Sequence, residues 1–311
     1  MKIDIYTHIL TEKYLKAYSQ KNSKVLDSVE ARNRAVTDIN MRLRLMNRFP
    51  DILQVLTVAN PPLDAFVSPD DAVELARIAN DELAELLIEY PDRFLAAVAC
   101  VPMNNIDSAL EEIDRSITQL GLKGIQIPTR VKGEPLSLPK FKPLYEKMAE
   151  YNLPIWIHPV TNQKLDQDYG IFSWPFETAM AMFHLVNSGV FSDYPNLKFI
   201  THHCGSMIPY FAKRIKFTMA AVRKDSIAQN AEEHFRKFYN DTAIYGNTDA
   251  LMCGCAFFGV DHILFGTDAP LAGKFGLTEE TLMSIERMSI PENDKGKILR
   301  QNAIDLLSLS L

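Results

Sequence analysis

Four of the seven histidines in this 311-residue chain close apolar runs: His8 follows Ile3-Asp4-Ile5-Tyr6-Thr7, His158 follows Ile155-Trp156-Ile157, and His202 and His203 follow Phe199-Ile200-Thr201. A further run, Ile263-Leu264-Phe265-Gly266-Thr267, closes on Asp268. Neutral imidazoles with a carboxylate are a donor set for zinc or manganese, and two histidines with an aspartate match a catalytic zinc that keeps one position open. Tyr6 and His8 alternate, so a strand would direct both to one side. A phenol with a reference pKa of about 10 is a poor ligand unless the metal ionises it. Tyr6 is therefore read as a hydrogen-bond donor to substrate or to a metal-held water. That leaves His8, His158 and Asp268 as ligands of one divalent ion, zinc foremost and manganese second.

Such groups can meet only if strand ends meet. Short β-rich runs recur at 3–8, 52–58, 94–101, 124–128, 154–158, 198–203, 238–244 and 263–267, and helical spacing predicts helices over 70–90, 106–120, 140–151, 176–188, 207–223, 249–258 and 279–288. Eight strands alternating with helices is the arithmetic of an α/β fold of the (β/α)8 TIM-barrel class, here as a single domain over 1–311 with a small insertion after the first strand. In that fold catalytic groups project from the C-terminal strand ends, where all these residues lie. No G-x-G-x-x-G or P-loop motif supports a doubly wound sheet instead. The polar segment from Leu10 to about Val36 carries Lys13, Lys16, Lys21, Lys24 and Arg32; it is either a lid over the mouth or a solvated helical excursion. The stretch from Pro291 to Leu311 resumes helical spacing and is expected to pack on the outside or an end of the barrel.

Composition narrows the partners. Lys and Arg number 33 against 39 Asp and Glu, a formal charge of −6, with no basic run to track a phosphate backbone, which argues against nucleic acid. No apolar run approaches the roughly 18 residues of a membrane span, and Met1-Lys2-Ile3-Asp4-Ile5 lacks a signal-peptide pattern, so a cytoplasmic protein is expected. Cys100, Cys204, Cys253 and Cys255 show no C-x-x-C spacing and read as reduced thiols. Trp174, Phe176 and Tyr245, near the expected mouth, are candidate apolar walls of a binding pocket.

Nearly end to end, the chain resembles the amidohydrolase-related decarboxylases, the group typified by aminocarboxymuconate semialdehyde decarboxylase and γ-resorcylate decarboxylase. The resemblance rests on Lys2-Ile3-Asp4-Ile5-Tyr6-Thr7-His8, Leu153-Pro154-Ile155-Trp156-Ile157-His158-Pro159, Phe176-Glu177-Thr178-Ala179, the run from Asn196 to Tyr210 containing His202-His203-Cys204-Gly205, Asn240-Asp241-Thr242-Ala243, and Ile263-Leu264-Phe265-Gly266-Thr267-Asp268. It implies a TIM barrel holding one divalent ion on His158, Asp268 and His8. Family members place a catalytic histidine six residues before a proline and eleven before an arginine; His203, Pro209 and Arg214 keep that spacing and His202 does not. His203 is thereby implied as general acid/base, with His202 turned to the barrel wall or behind the ligands. Arg214 is similar to an arginine that reaches a substrate carboxylate across a homodimer interface in some relatives. Tyr6 departs from the family's usual His or Glu.

The implied reaction is non-oxidative decarboxylation of a small aromatic or unsaturated carboxylic acid. The ion would anchor the substrate, His203 would deliver a proton, and Asp268 could serve as ligand and base. Hydrolysis of an ester, lactone or amide at the same centre stays open, as does a non-catalytic ligand-binding barrel.

Overall fold

Lys2–Ile9 (β1) and Ile52–Val58 (β2) pair in parallel with almost every side chain buried, as strands covered on both faces must be, and β1 buries Asp4, Thr7 and His8 among its apolar residues. The computed structural model describes residues 1–160, 170–271 and 276–309, and the chain divides into two units: Met1–Ile127 with Phe265–Glu280, and Pro128–Leu264 with Thr281–Leu311.

In the first unit β2 also pairs with Phe94–Ala97 (β3), and Ala99–Cys100 (β4) pairs with Ile125–Pro128 (β5). The single strand expected over 94–101 is thus interrupted at Val98. Its amide bonds Leu56 O at 2.9 Å, whereas the next amide, Ala99, bonds Gly124 O at 2.9 Å, so the chain changes hydrogen-bonding neighbour within two residues. The other edge of β1 is covered by the run after Leu264: Ile5 N donates to Phe265 O (2.9 Å), Asp268 N to Tyr6 O (3.2 Å) and His8 N to Ala269 O (2.7 Å). This is the expected eighth strand, present as an extended run with isolated bridges rather than a regular ladder. Asp4 fastens it, accepting from the Thr267 amide at 3.0 Å and from the Thr267 hydroxyl, while burial pushes the Asp4 carboxyl up to about 7.

The helix Pro69–Glu89 starts where Ser68 caps the Asp71 amide at 3.2 Å, with proline in the first turn. It anchors the polar excursion that follows β1. The helix Glu12–Lys21 buries Tyr14 and Tyr18 completely, hangs its first amides on Glu82 (Lys13 N 3.0 Å, Tyr14 N 2.7 Å) and pairs Lys21 with Asp71 and Glu74 at 2.6 and 2.8 Å. Short helices at Val29–Arg32 and Arg34–Thr37 and a longer one at Ile39–Met46 complete the connection to β2.

In the second unit, chain order first brings a hairpin that the apolar pattern does not announce, Arg130–Val131 (β6) against Glu134–Pro135 (β7). Lys132 and Gly133 have φ of 49° and 83°, the left-handed pair of a tight two-residue turn. Ile155–His158 (β8) and Phe199–Thr201 (β9) then pair in parallel, followed by Tyr239–Asn240 (β10) on β9 and an Asn240–Ile263 bridge. The seventh strand is far shorter than the 238–244 expected, pairing over Tyr239–Asn240 with a further bond from Asp241 N to Thr201 O at 3.1 Å. Helices Lys142–Tyr151, Ser173–Ser188, Ile208–Val222 and Thr248–Phe258 fall close to their expected spans. The final segment continues helically from Glu292 to Leu307, and Asn302 ties it back by donating to Val260 O and Ile263 O; Ser310 and Leu311 lie outside the described residues. No helix among the described residues is long and apolar enough to cross a membrane.

Candidate metal centre and proton-transfer site

In the first unit the structure brings Tyr6, His8 and Asp268 together. All three are buried, and the Tyr6 and His8 rings lie 5.4 Å apart, as their alternation along β1 requires. A chain of hydrogen bonds sets the His8 tautomer. The Thr57 hydroxyl donates to Thr7 O at 3.1 Å, so toward the His8 Nδ1, 3.0 Å away, it can only accept. With a ring proton thus on Nδ1, the imidazole turns Nε2 toward Asp268 Oδ1 at 2.9 Å. An imidazole nitrogen and a carboxylate this close share a positive charge, either a proton on Nε2 or a cation held by both. Asp268 reaches this position through a left-handed backbone, φ 63°. Burial first, and the Asp268 charge second, raise the carboxyl of Glu30, which belongs to the excursion after β1.

Removing the Thr57 hydroxyl isolates its role. Thr57→Val leaves a β-branched residue of the same shape on β2, and we expect divalent-metal affinity to fall about 10–100-fold with the thermal midpoint nearly unchanged. Competition with a chromogenic chelator measures this, and unaltered affinity would show that Thr57 does not hold the tautomer.

In the second unit β8 ends at His158, whose Nδ1 donates to Pro159 O at 2.8 Å and leaves Nε2 as the acceptor. The His202 ring lies edge-on to it at 5.4 Å and stacks on the His203 ring at 4.5 Å. His202 is fully buried with Nδ1 paired to Asp241. The Asp241 carboxylate also accepts from the amides of Cys204 (3.2 Å) and Ala243 (3.0 Å), so one buried side chain orients His202 and shapes the turn carrying His203. That turn is unusual: His203, Cys204, Gly205 and Ser206 all have positive φ, 59°, 54°, 66° and 58°. Gly205 permits it. A Cβ there would lie 2.5 Å from the Phe258 ring and 2.7 Å from Asn240 Oδ1.

The other expected residues also fall in the second unit. Trp174 begins the helix Ser173–Ser188, half-buried, its Nε1 without a hydrogen-bond partner among the described residues; Phe176 is exposed one turn on, and Tyr245 is exposed at φ 55°. Arg214 is exposed on the helix Ile208–Val222. Asp241, Thr57 and Glu30 were not singled out from the sequence. Asp241 was within reach, since it ends the run Phe238-Tyr239-Asn240 as Asp268 ends its own, whereas Thr57 and Glu30 carry no signal in spacing or type.

Both units therefore offer histidines whose tautomers are fixed by Nδ1 hydrogen bonds with Nε2 directed away, and the first adds a carboxylate. This donor chemistry fits a divalent ion. The chain belongs to the amidohydrolase family, whose sequence profile matches residues 3–309. It is 29% identical to the 2-amino-3-carboxymuconate-6-semialdehyde decarboxylase of Dictyostelium discoideum over 99% of this chain and 92% of that one. It is 32% identical to a γ-resorcylate decarboxylase of Rhizobium sp. (strain MTP-10005), covering 90% of each. Among solved structures, a 2,6-dihydroxybenzoate decarboxylase complexed with 2,6-dihydroxybenzoate superimposes with a TM-score of 0.83 at 26% identity, covering 99% of both chains. A dihydroxybenzoic acid decarboxylase of Polaromonas sp. JS666, with bound manganese and the inhibitor 2-nitroresorcinol, gives 0.83 at 28% identity over 99% of this chain and 96% of that one. The fold class is thereby the TIM-barrel class of the amidohydrolases, and an enzyme employing a single divalent metal is what these relatives support.

Proposed function

We propose that the chain is a metal-dependent, non-oxidative decarboxylase of a small hydroxylated aromatic acid. The buried His8 Nε2 and Asp268 Oδ1, 2.9 Å apart, carry this reading. In it His8 and Asp268 hold the ion together with His158, which ends its own strand as they end theirs. A divalent ion bound there would anchor the substrate's carboxylate and a neighbouring oxygen and withdraw charge as the carbon–carbon bond breaks. Zinc suits the donors as the sequence suggests, but imidazole and carboxylate without thiolate suit manganese equally. The manganese in the Polaromonas relative moves the weight to manganese.

His203 delivers the proton. Its imidazole, with a reference pKa of about 6.5, can protonate the ring carbon that CO2 leaves, so that ArCOO⁻ and H⁺ become ArH and CO2. Tyr6 presents its phenol beside His8 and hydrogen-bonds the substrate. Trp174 and Phe176 form the wall of the aromatic pocket, with Trp174 Nε1 available to a ring substituent. Incubation of the manganese-loaded protein with mono- and dihydroxybenzoates tests the reading, with CO2 release matching the loss of the acid as the expected result. Acid production from esters, lactones or amides with no CO2 from any benzoate would establish the hydrolase instead.

The reading includes a homodimer and a cytoplasmic location, the latter supported by free cysteines, three of the four buried. On the helix Ile208–Val222, Tyr210, Arg214 and Phe217 share one stripe, and the two aromatics are 79% and 69% exposed. A second copy covering that stripe would receive Arg214. Sedimentation of wild type should give a dimer that Phe217→Asp converts to monomer; a monomeric wild type removes Arg214 from the site.

A further inference from the structure

The turn that carries His203 packs against the helix Thr248–Phe258, which buries Gly254. Gly254 and Phe258 lie one turn apart on that helix and so share a face. The turn is complementary to that face. Gly205 leaves the space that the Phe258 ring fills, and Gly254 leaves the space that the Cys204 thiol fills: a Cβ at 254 would stand 2.3 Å from Cys204 Sγ. Glycine inside a helix is unfavourable against alanine, and the φ of Gly254 is not left-handed, so space rather than torsion accounts for it. Burial pushes the Cys204 thiol well above its ordinary range, which makes it a neutral packing group. The other holds on the turn are polar. Asp241 accepts from Cys204 N at 3.2 Å, and Ser206 donates from its amide to His203 O at 2.8 Å and from its hydroxyl to Pro175 O.

We infer that Gly254 and Cys204 are positioning residues: their contact fixes the left-handed turn so that the His203 imidazole keeps its stacked place 4.5 Å from the His202 ring. For its effect on rate this rests on His203 as the proton donor proposed above; for the placement of the ring it rests on the packing alone. Ordinary non-bonded contacts lie at about 3.5–4 Å, so a methyl group at 254 pushes the thiol, and the turn with it, by more than about 1 Å. The opposite change, loss of the sulfur, leaves the turn unseated.

Gly254→Ala, Cys204→Ala and the two combined test this. In the combination the added methyl group would stand 3.9 Å from the Cβ at 204 and 3.8 Å from the carbonyl oxygen there, ordinary contacts that refill the place of the sulfur. The readouts are kcat, KM and metal content of the manganese-loaded protein in CO2 release, and the His203 ring Hε1 resonance of the diamagnetic zinc-loaded protein, assigned through His203→Gln. Gly254→Ala should lower kcat about 10²-fold with KM and metal content unchanged, and shift the resonance as the stacking on His202 alters. Cys204→Ala should lower kcat about tenfold, and the combination should return both readouts toward wild type. An unmoved resonance with unchanged kcat in the single variants overturns the inference. A combination no better than Gly254→Ala also overturns it, since the effect would not pass through the sulfur. Should Gly254→Ala not fold, Cys204→Ala against the combination decides by the same criteria. Should wild type release no CO2 from any benzoate, the decarboxylase reading falls and the resonances alone decide this inference.

Discussion

Asp268→Ala should abolish turnover, by about 10³-fold or more, and empty the protein of its divalent ion, because it removes the only carboxylate facing the His8 Nε2 among the described residues. The loss has two parts. The ion loses a charged ligand, and the remaining imidazole acceptors cannot offset its charge. Unfolding is not part of the expected result, since Thr267 and Ala269 hold the neighbouring backbone against Asp4 and β1. Asp268→Asn keeps the shape and the left-handed backbone more readily than alanine, as asparagine tolerates that region, so it separates charge from conformation. Elemental analysis together with circular dichroism checks the prediction; a variant with full metal content and wild-type rate would remove Asp268 from the centre.

His203→Ala should act differently. The rate should fall about 10²–10⁴-fold with metal content unchanged. Added imidazole should restore part of the rate by entering the vacated space. The stacked neighbour supplies the control. His202 is held by Asp241 and fully buried, so His202→Ala should disturb metal binding or the turn more than proton delivery. If His203→Ala kept the wild-type rate while His202→Ala lost it at full metal content, the two roles would be exchanged.

Periodicity revealed the order of strands and helices because each apolar run had to be buried, and burial leaves a pattern. Pattern said less about where a ladder stops. Val98 lies inside an apolar run, and nothing in its type shows that hydrogen bonding changes neighbour there; the seventh strand ends at Asp241, whose carboxylate is committed to His202 and two amides, a tertiary cause. The histidines and Asp268 were legible as strand ends. Thr57 was not, because its contribution is the direction of one hydroxyl proton, decided by Thr7 O on the adjacent strand. The excursion after β1 read equally as a lid or as a solvated excursion, because its lysines mark only the outer face, and the inward face is carried by Tyr14 and Tyr18, both wholly buried.

Four successive left-handed residues at 203–206 bear on how this scaffold can diversify. Where main-chain torsion, rather than surrounding side chains, aims an imidazole, the walls can be exchanged without re-aiming it. Libraries at Trp174, Phe176 and Tyr245 should therefore yield altered acid preferences at high frequency, while libraries across the turn should return almost nothing but the parent.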